Sequence, residues 1–139
     1  MVSTQLDSYF GIIEERVTPE GYDSITDFGK ASDILSFTAV TVLAAESNGT
    51  TATSDVDTTT GGKISFAPAD DTFAKMVVAI LADSELDVAG STAFFEFGGD
   101  TYVYNAGTAT GGADDQIIKL TGVTGLVTIT DLGTTLTIA

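Results

Sequence analysis

Aspartates gather where the chain reads as turns: Asp23, Asp27 and Asp33, then Asp55 and Asp57, Asp70 and Asp71, Asp100, Asp114 and Asp115, and Asp131. Calcium is the cofactor such a pattern suits, because it takes six to eight hard oxygen ligands and turns bring carboxylates and backbone carbonyls together cheaply. The candidate calcium ligands are Asp23, Asp27, Asp33, Asp100, Asp114 and Asp115. Aspartate is also an ordinary turn former that bonds to its own backbone, and the pattern carries both readings.

Known calcium loops are absent from the sequence. There is no D-x-[DN]-x-[DN]-G stretch with a glutamate at the twelfth position, and no repeat of the nonapeptide G-G-x-G-x-D-x-U-x. The nearest approach is Gly111 to Ile117 (GGADDQI), with Asp114 and Gln116 where the third glycine and the aspartate would stand. Catalytic chemistry has little to work with. The chain has no His and no Cys, which removes imidazole bases, thiol nucleophiles, disulfides and the usual zinc and haem ligands. Asp114 and Asp115 could pair as acid and base, but neighbours in a strand point to opposite faces. Phosphate-cradling glycine motifs are missing in any strand-to-helix context. The expectation is that the protein is not an enzyme.

The elements that position these residues read mainly as strands. Ile25–Phe28 and Ile34–Phe37 alternate on either side of a Gly-containing turn, and the second continues through the β-branched Thr38–Val42. Asn48–Gly62 is rich in Thr, Gly and Asp and reads as a loop, or a polar hairpin at most. Lys63–Phe66 is a brief strand. Asp70–Leu81 is the one helix: Phe73, Met76, Val77, Ile80 and Leu81 share a face, and Asp70 and Asp71 offer an N-cap. Thr92–Tyr104 reads as a hairpin around Gly98, Gly99 and Asp100, in which Phe95 and Phe97 can share a face, as can Tyr102 and Tyr104, and cross-strand aromatic pairs stabilise it. Gln116–Leu120, Leu126–Thr130 and Thr135–Ala139 complete the strands. The predicted fold is mainly β: a β-sandwich or β-roll-like antiparallel sheet with one packed amphipathic helix over about 70–82. Leu6–Val17 fits helical spacing and strand composition alike, so residues 1–23 form a segment of undecided structure.

Composition narrows the partners. With 139 residues and 43% hydrophobic content, one core is expected. Twenty acidic residues against five basic ones give a net charge of −15, which repels nucleic acid and anionic lipid and serves either to bind multivalent cations or only to keep the protein in solution. No run approaches the roughly 20 apolar residues of a membrane span, so no membrane insertion is expected. Met1–Phe10 lacks the basic region and apolar stretch of a secretory signal.

Phe94–Tyr104 (FFEFGGDTYVY), followed by Asp114–Leu126 (DDQIIKLTGVTGL) and Thr135–Ala139 (TLTIA), resembles the C-terminal region of bacterial surface-layer and RTX-type calcium-binding proteins. Ile25–Phe37 (ITDFGKASDILSF) is similar to the segment that closes an RTX β-roll, with Ala31 at a usual glycine. The resemblance spans 24–139 and implies a single β domain there. It further implies secretion to the bacterial cell surface through a type I exporter, which reads an uncleaved signal at Thr135, Leu136, Thr137, Ile138 and Ala139. Calcium-driven folding outside the cell and self-association, or contact with other surface-layer subunits, are implied with it. The alternative is an adhesin-like binding module for glycan or protein, using the 48–62 loop or a surface formed by Tyr102 and Tyr104.

Overall fold

The computed structural model describes residues 3–4, 22–29, 33–43, 45, 56–108, 114–131, 133 and 135–139. The described elements are, in chain order, β1 (Ser3–Thr4), β2 (Asp23–Ile25), β3 (Ile34–Ser36), β4 (Thr41–Val42), β5 (Asp57–Thr58), β6 (Ile64–Ser65), α1 (Phe73–Ala82), β7 (Ser91–Phe97), β8 (Asp100–Asn105), β9 (Gln116–Leu120), β10 (Ile129–Asp131) and β11 (Thr135–Ile138). The 6–17 segment lies outside the described residues.

β7 and β8 form the hairpin that the sequence predicts. Gly98 and Gly99 take φ of 64° and 90°, the left-handed values that a tight two-residue turn demands and that only glycine adopts without strain. β9 pairs antiparallel with β8, so Phe94, Val103 and Ile118 stand in one row across the three strands, while Ala93, Tyr104 and Ile117 stand in another. Because side chains alternate along a strand, the rows face opposite ways. Two short edge strands complete this central sheet in the order β2-β9-β8-β7-β4, and both join in parallel. The sheet is thus antiparallel at its centre and mixed overall.

Each face is covered. On one lies a smaller sheet in the order β1-β3-β11-β10; Ile25, Phe28, Leu35, Phe37, Phe94, Val103, Ile118, Leu120, Leu126 and Ile129 fill the space between. On the other lie α1 and the β5–β6 hairpin, over a second core that includes Val77, Ile80, Leu86, Phe95, Tyr102, Tyr104 and Ile117. The helix buries the face that its spacing predicts: Phe73, Met76, Val77, Ile80 and Leu81 all contribute to that second core. Phe73 anchors an aromatic group, 4.7 Å from Tyr102 and 5.5 Å from Tyr22 between ring centroids. The cap differs from the expectation. Thr72, not Asp70 or Asp71, takes the N-cap position and accepts from Lys75 N, which leaves Asp71 to reach the Lys75 ammonium at 2.7 Å.

The turn ahead of β6 ties the layers together. Ile129 N donates to Gly61 O at 2.9 Å, and Phe94 N donates to Gly62 O at 2.8 Å. One residue therefore bonds to the smaller sheet and the next to the central one. A Cβ on Gly61 would lie 2.7 Å from Val127 O and 2.8 Å from Thr128 Cα, so the approach to β10 requires glycine here.

Candidate functional site

The six candidate calcium ligands are distributed through the fold. Asp23 is on β2 opposite Ile118, and Asp27 is exposed in the bend that follows. Asp33 is buried; its Oδ2 accepts from Gly29 N at 2.8 Å, and its own N–H donates to Gly29 O at 3.0 Å. Asp100 opens β8, where Oδ2 meets Lys119 Nζ at 2.9 Å and Oδ1 accepts from Gly122 N at 2.7 Å. These partners, the Gly122 N–H first and Lys119 next, hold the Asp100 carboxyl below the ordinary aspartate value, and Asp100 in turn raises Lys119. Asp114 accepts from Thr108 N at 2.7 Å and from Thr108 Oγ1 at 3.1 Å. Among the described residues, no three carboxylates converge as a metal cage.

Asp115 has the most unusual surroundings. It precedes β9, is 1% exposed, and places Oδ2 at 2.6 Å from the hydroxyl of Tyr104. Its Oδ1 is buried without a hydrogen-bond partner. Tyr104, equally buried, also lies 3.2 Å from the carbonyl oxygen of Leu86. Burial, then the charges of Asp87 and Asp114, push Asp115 up to about 6 against the hydrogen bond from Tyr104. Tyr104 is raised far above its ordinary value by burial and by Asp115.

The turn that supplies Leu86 is built by an acid in an unexpected place. Asp83 ends α1, where a carboxylate opposes the helix dipole. It instead caps the following turn: Oδ1 accepts from Glu85 N at 3.0 Å and Leu86 N at 3.1 Å. Burial raises Asp83 despite those bonds. Ser91 Oγ donates to Glu85 O at 2.8 Å and fastens the same turn to β7. Sequence reasoning missed Asp87 as a neighbour of Asp115 and Asp83 as a neighbour of Tyr104. The signal was the run Asp83–Asp87 (DSELD), with three acids after a helix whose end favours cations.

A cavity of about 400 Å³ flanks α1, lined by Ala69, Asp70, Ala74, Lys75 and Val78. Asp70 is 4% exposed, and its Oδ2 has no hydrogen-bond partner. Lys75 bonds to Asp71 Oδ1 and, at 3.0 Å, to Ala69 O. Tyr102 and Tyr104 share a face as expected, but it is an inner face: at 5% and 1% exposure they form no binding surface. The second core covers them because α1 packs on that side of the sheet. Of the 48–62 loop, residues 56–62 are described and include β5, while 48–55 lie outside the described residues.

Thr135–Ile138 form β11, the segment predicted as an export signal. It lies inside the smaller sheet, paired with β10 on one side and β3 on the other. Ala139 extends the pairing, donating to Thr128 O at 3.1 Å and accepting from Val127 N at 2.9 Å. Compared with known proteins, the chain matches no family model and no curated relative.

Proposed function

We propose that this chain is a non-enzymatic C-terminal domain of a secreted bacterial surface protein, serving export by a type I secretion system, calcium-assisted folding and surface-layer or cell-surface assembly. The observation that carries this reading is the interlock of three of the four segments on which the resemblance rests. Ile25, Phe28, Leu35 and Phe37 from the first share a core with Phe94 and Val103 from the second and Ile118, Leu120 and Leu126 from the third. Asp100 of the G-D-T-Y-V stretch grips Lys119 of the K-L-T-G stretch, and Thr121 N donates to Ile25 O at 2.8 Å.

Export and folding are coupled in this reading. Residues 135–139 are paired within a sheet, Thr135 and Leu136 with β3 and Leu136 to Ala139 with β10 and the residues before it, so an exporter engages them only while the chain is unfolded. Calcium acts by relieving the mutual repulsion of a chain with net charge −15. Among the described residues, no helix is long and apolar enough to cross a membrane. The test is a calcium titration of the chelator-stripped protein, followed by circular dichroism and light scattering with magnesium as control. Calcium-specific gain of β-signal at about 10⁻⁴–10⁻³ M supports the reading, and added scattering reports assembly. A chain already folded, monomeric and indifferent to calcium overturns it.

The cavity beside α1 favours the second reading, a binding module. Its mostly apolar lining, Ala69, Ala74 and Val78 with the stem of Lys75, suits an apolar side chain of a protein partner. Saturable chemical-shift changes at Ala74 and Val78 with N-acetyl-leucine amide support it; no saturation at millimolar concentration removes it.

A further inference from the structure

The smaller sheet turns one face to the core and the other away from it. Leu35 on β3 and Ile129 on β10 point inward, at 0% and 3% exposure, and side chains alternate along a strand. Ile34 and Ser36 therefore lie on the outer face of β3, and Thr130 on that of β10. Register supplies the rest. Thr137 stands opposite Thr130, and Thr135 opposite Ser36, and residues paired across strands share a face. All five are half-buried or exposed, and Ile34 belongs to neither core.

The chemistry of this face selects what it can meet. Three threonines, a serine and an isoleucine carry no charge. Elsewhere carboxylates reach solvent at Asp27 after β2, at Asp71 before α1, and at Glu85 and Asp87 in the turn after α1, while Lys63, Lys75 and Lys119 are engaged by Glu96, Asp71 and Asp100. Two copies of a chain with net charge −15 repel each other, and a two-fold contact sets a patch against its own image. Made through an acidic patch, that contact buries carboxylate against carboxylate, and neither has a hydrogen to donate. Made through the threonine face, it sets hydroxyl against hydroxyl around Ile34, and every hydroxyl both donates and accepts. Charged residues are depleted at the centres of protein interfaces in general.

We propose that the outer face of the smaller sheet, formed by Ile34, Ser36, Thr130, Thr135 and Thr137, is the surface through which this chain contacts a second copy of itself. The proposal rests on the surface assembly put forward above and names the face that carries it. Five side chains cover far less than the roughly 800 Å² per partner of a standard interface, so a single contact is weak and gains strength by repetition across an assembly. Thr135 and Thr137 join the face only when β11 is paired with β3 and β10, so the contact forms after folding.

The test is sedimentation velocity of the whole chain at rising protein concentration, in calcium and in chelator. The parent is expected to associate. Thr137→Lys and Thr137→Glu each set like charges face to face and should each weaken association at least about ten-fold, whereas an equimolar mixture of the two should restore it. Misfolded variants would not rescue each other, and Ser36→Lys with Ser36→Glu repeats the test from β3. Val88→Lys, at a 60% exposed position in the turn after α1, should associate as the parent does. If the parent associates and the Thr137 and Ser36 variants associate equally well, the face is wrong while the assembly reading stands. A parent that stays monomeric at every concentration overturns both. Sedimentation of a monomeric parent with an insoluble polysaccharide, lost in Thr137→Lys, would give the face to a glycan and likewise overturn the proposal.

Discussion

Replacing Asp100 separates two contributions that the structure assigns to different atoms. Oδ1 accepts from Gly122 N at 2.7 Å, and Oδ2 meets Lys119 Nζ at 2.9 Å, with the two side chains 18% and 22% exposed. A hydrogen bond from a backbone N–H to a charged oxygen contributes about 1.5–3 kcal/mol, and an ion pair near the surface up to about 1 kcal/mol. Asp100→Ala loses both, for an expected cost of about 2–3 kcal/mol. Asp100→Asn keeps an acceptor for Gly122 and loses the charge, costing about 1 kcal/mol. The exposed Asp27 provides the control: Asp27→Asn removes the same charge from an acidic chain and should stay within about 0.5 kcal/mol. The Asp100 carboxyl is held below its ordinary value of 3.8, so its contribution is present above that pH and is lost as pH falls through the folded value. Urea unfolding by far-ultraviolet circular dichroism at pH 7, 5 and 3 should show the alanine variant and the parent converging at the acid end. An alanine variant within 0.5 kcal/mol of the parent at pH 7, or asparagine and alanine variants that coincide, would refute the division of labour.

Two more substitutions test the packing. Gly61→Ala drives a Cβ into Val127 O and Thr128 Cα and should destabilise by about 1–3 kcal/mol; an unchanged thermal midpoint would show that the turn does not join the layers. Phe73→Ala removes the ring that contacts Tyr22, Phe95, Phe97 and Tyr102 and should cost about 2–4 kcal/mol. A loss under 1 kcal/mol in urea unfolding would mean that α1 is only loosely docked.

What could be read from residues alone was local. The helix was legible because Phe73, Met76, Val77, Ile80 and Leu81 repeat at its period, and the hairpin because Gly98 and Gly99 permit a turn that other residues resist. Strand partnership was not legible. β2 and β3 are near neighbours in the chain yet enter different sheets, and nothing in ITDF or DILSF distinguishes one destination from the other. Tyr102 and Tyr104 sharing a face followed from alternation, but alternation does not say that a helix covers it. The acids at 114 and 115 stood out by type. The surroundings of Asp115 depended on Asp87 arriving from a distant turn, which no periodicity encodes.

The pairing register also sets a tempo. Asp23 lies opposite Ile118, Thr41 opposite Ser91, and Leu35 opposite Leu136. Neither the central nor the smaller sheet can close until segments from far-separated parts of the chain have met. Such loop-closure entropy is spent before the contacts repay it, and β-rich topologies of this kind fold in roughly milliseconds to seconds where helical bundles take microseconds to milliseconds. The hairpins β7–β8 and β10–β11 form from neighbours and can nucleate early, while β2 must wait for β9. A newly made chain would therefore pass an appreciable time with β2 unpaired, and stopped-flow refolding should find that strand among the last to gain protection from hydrogen exchange.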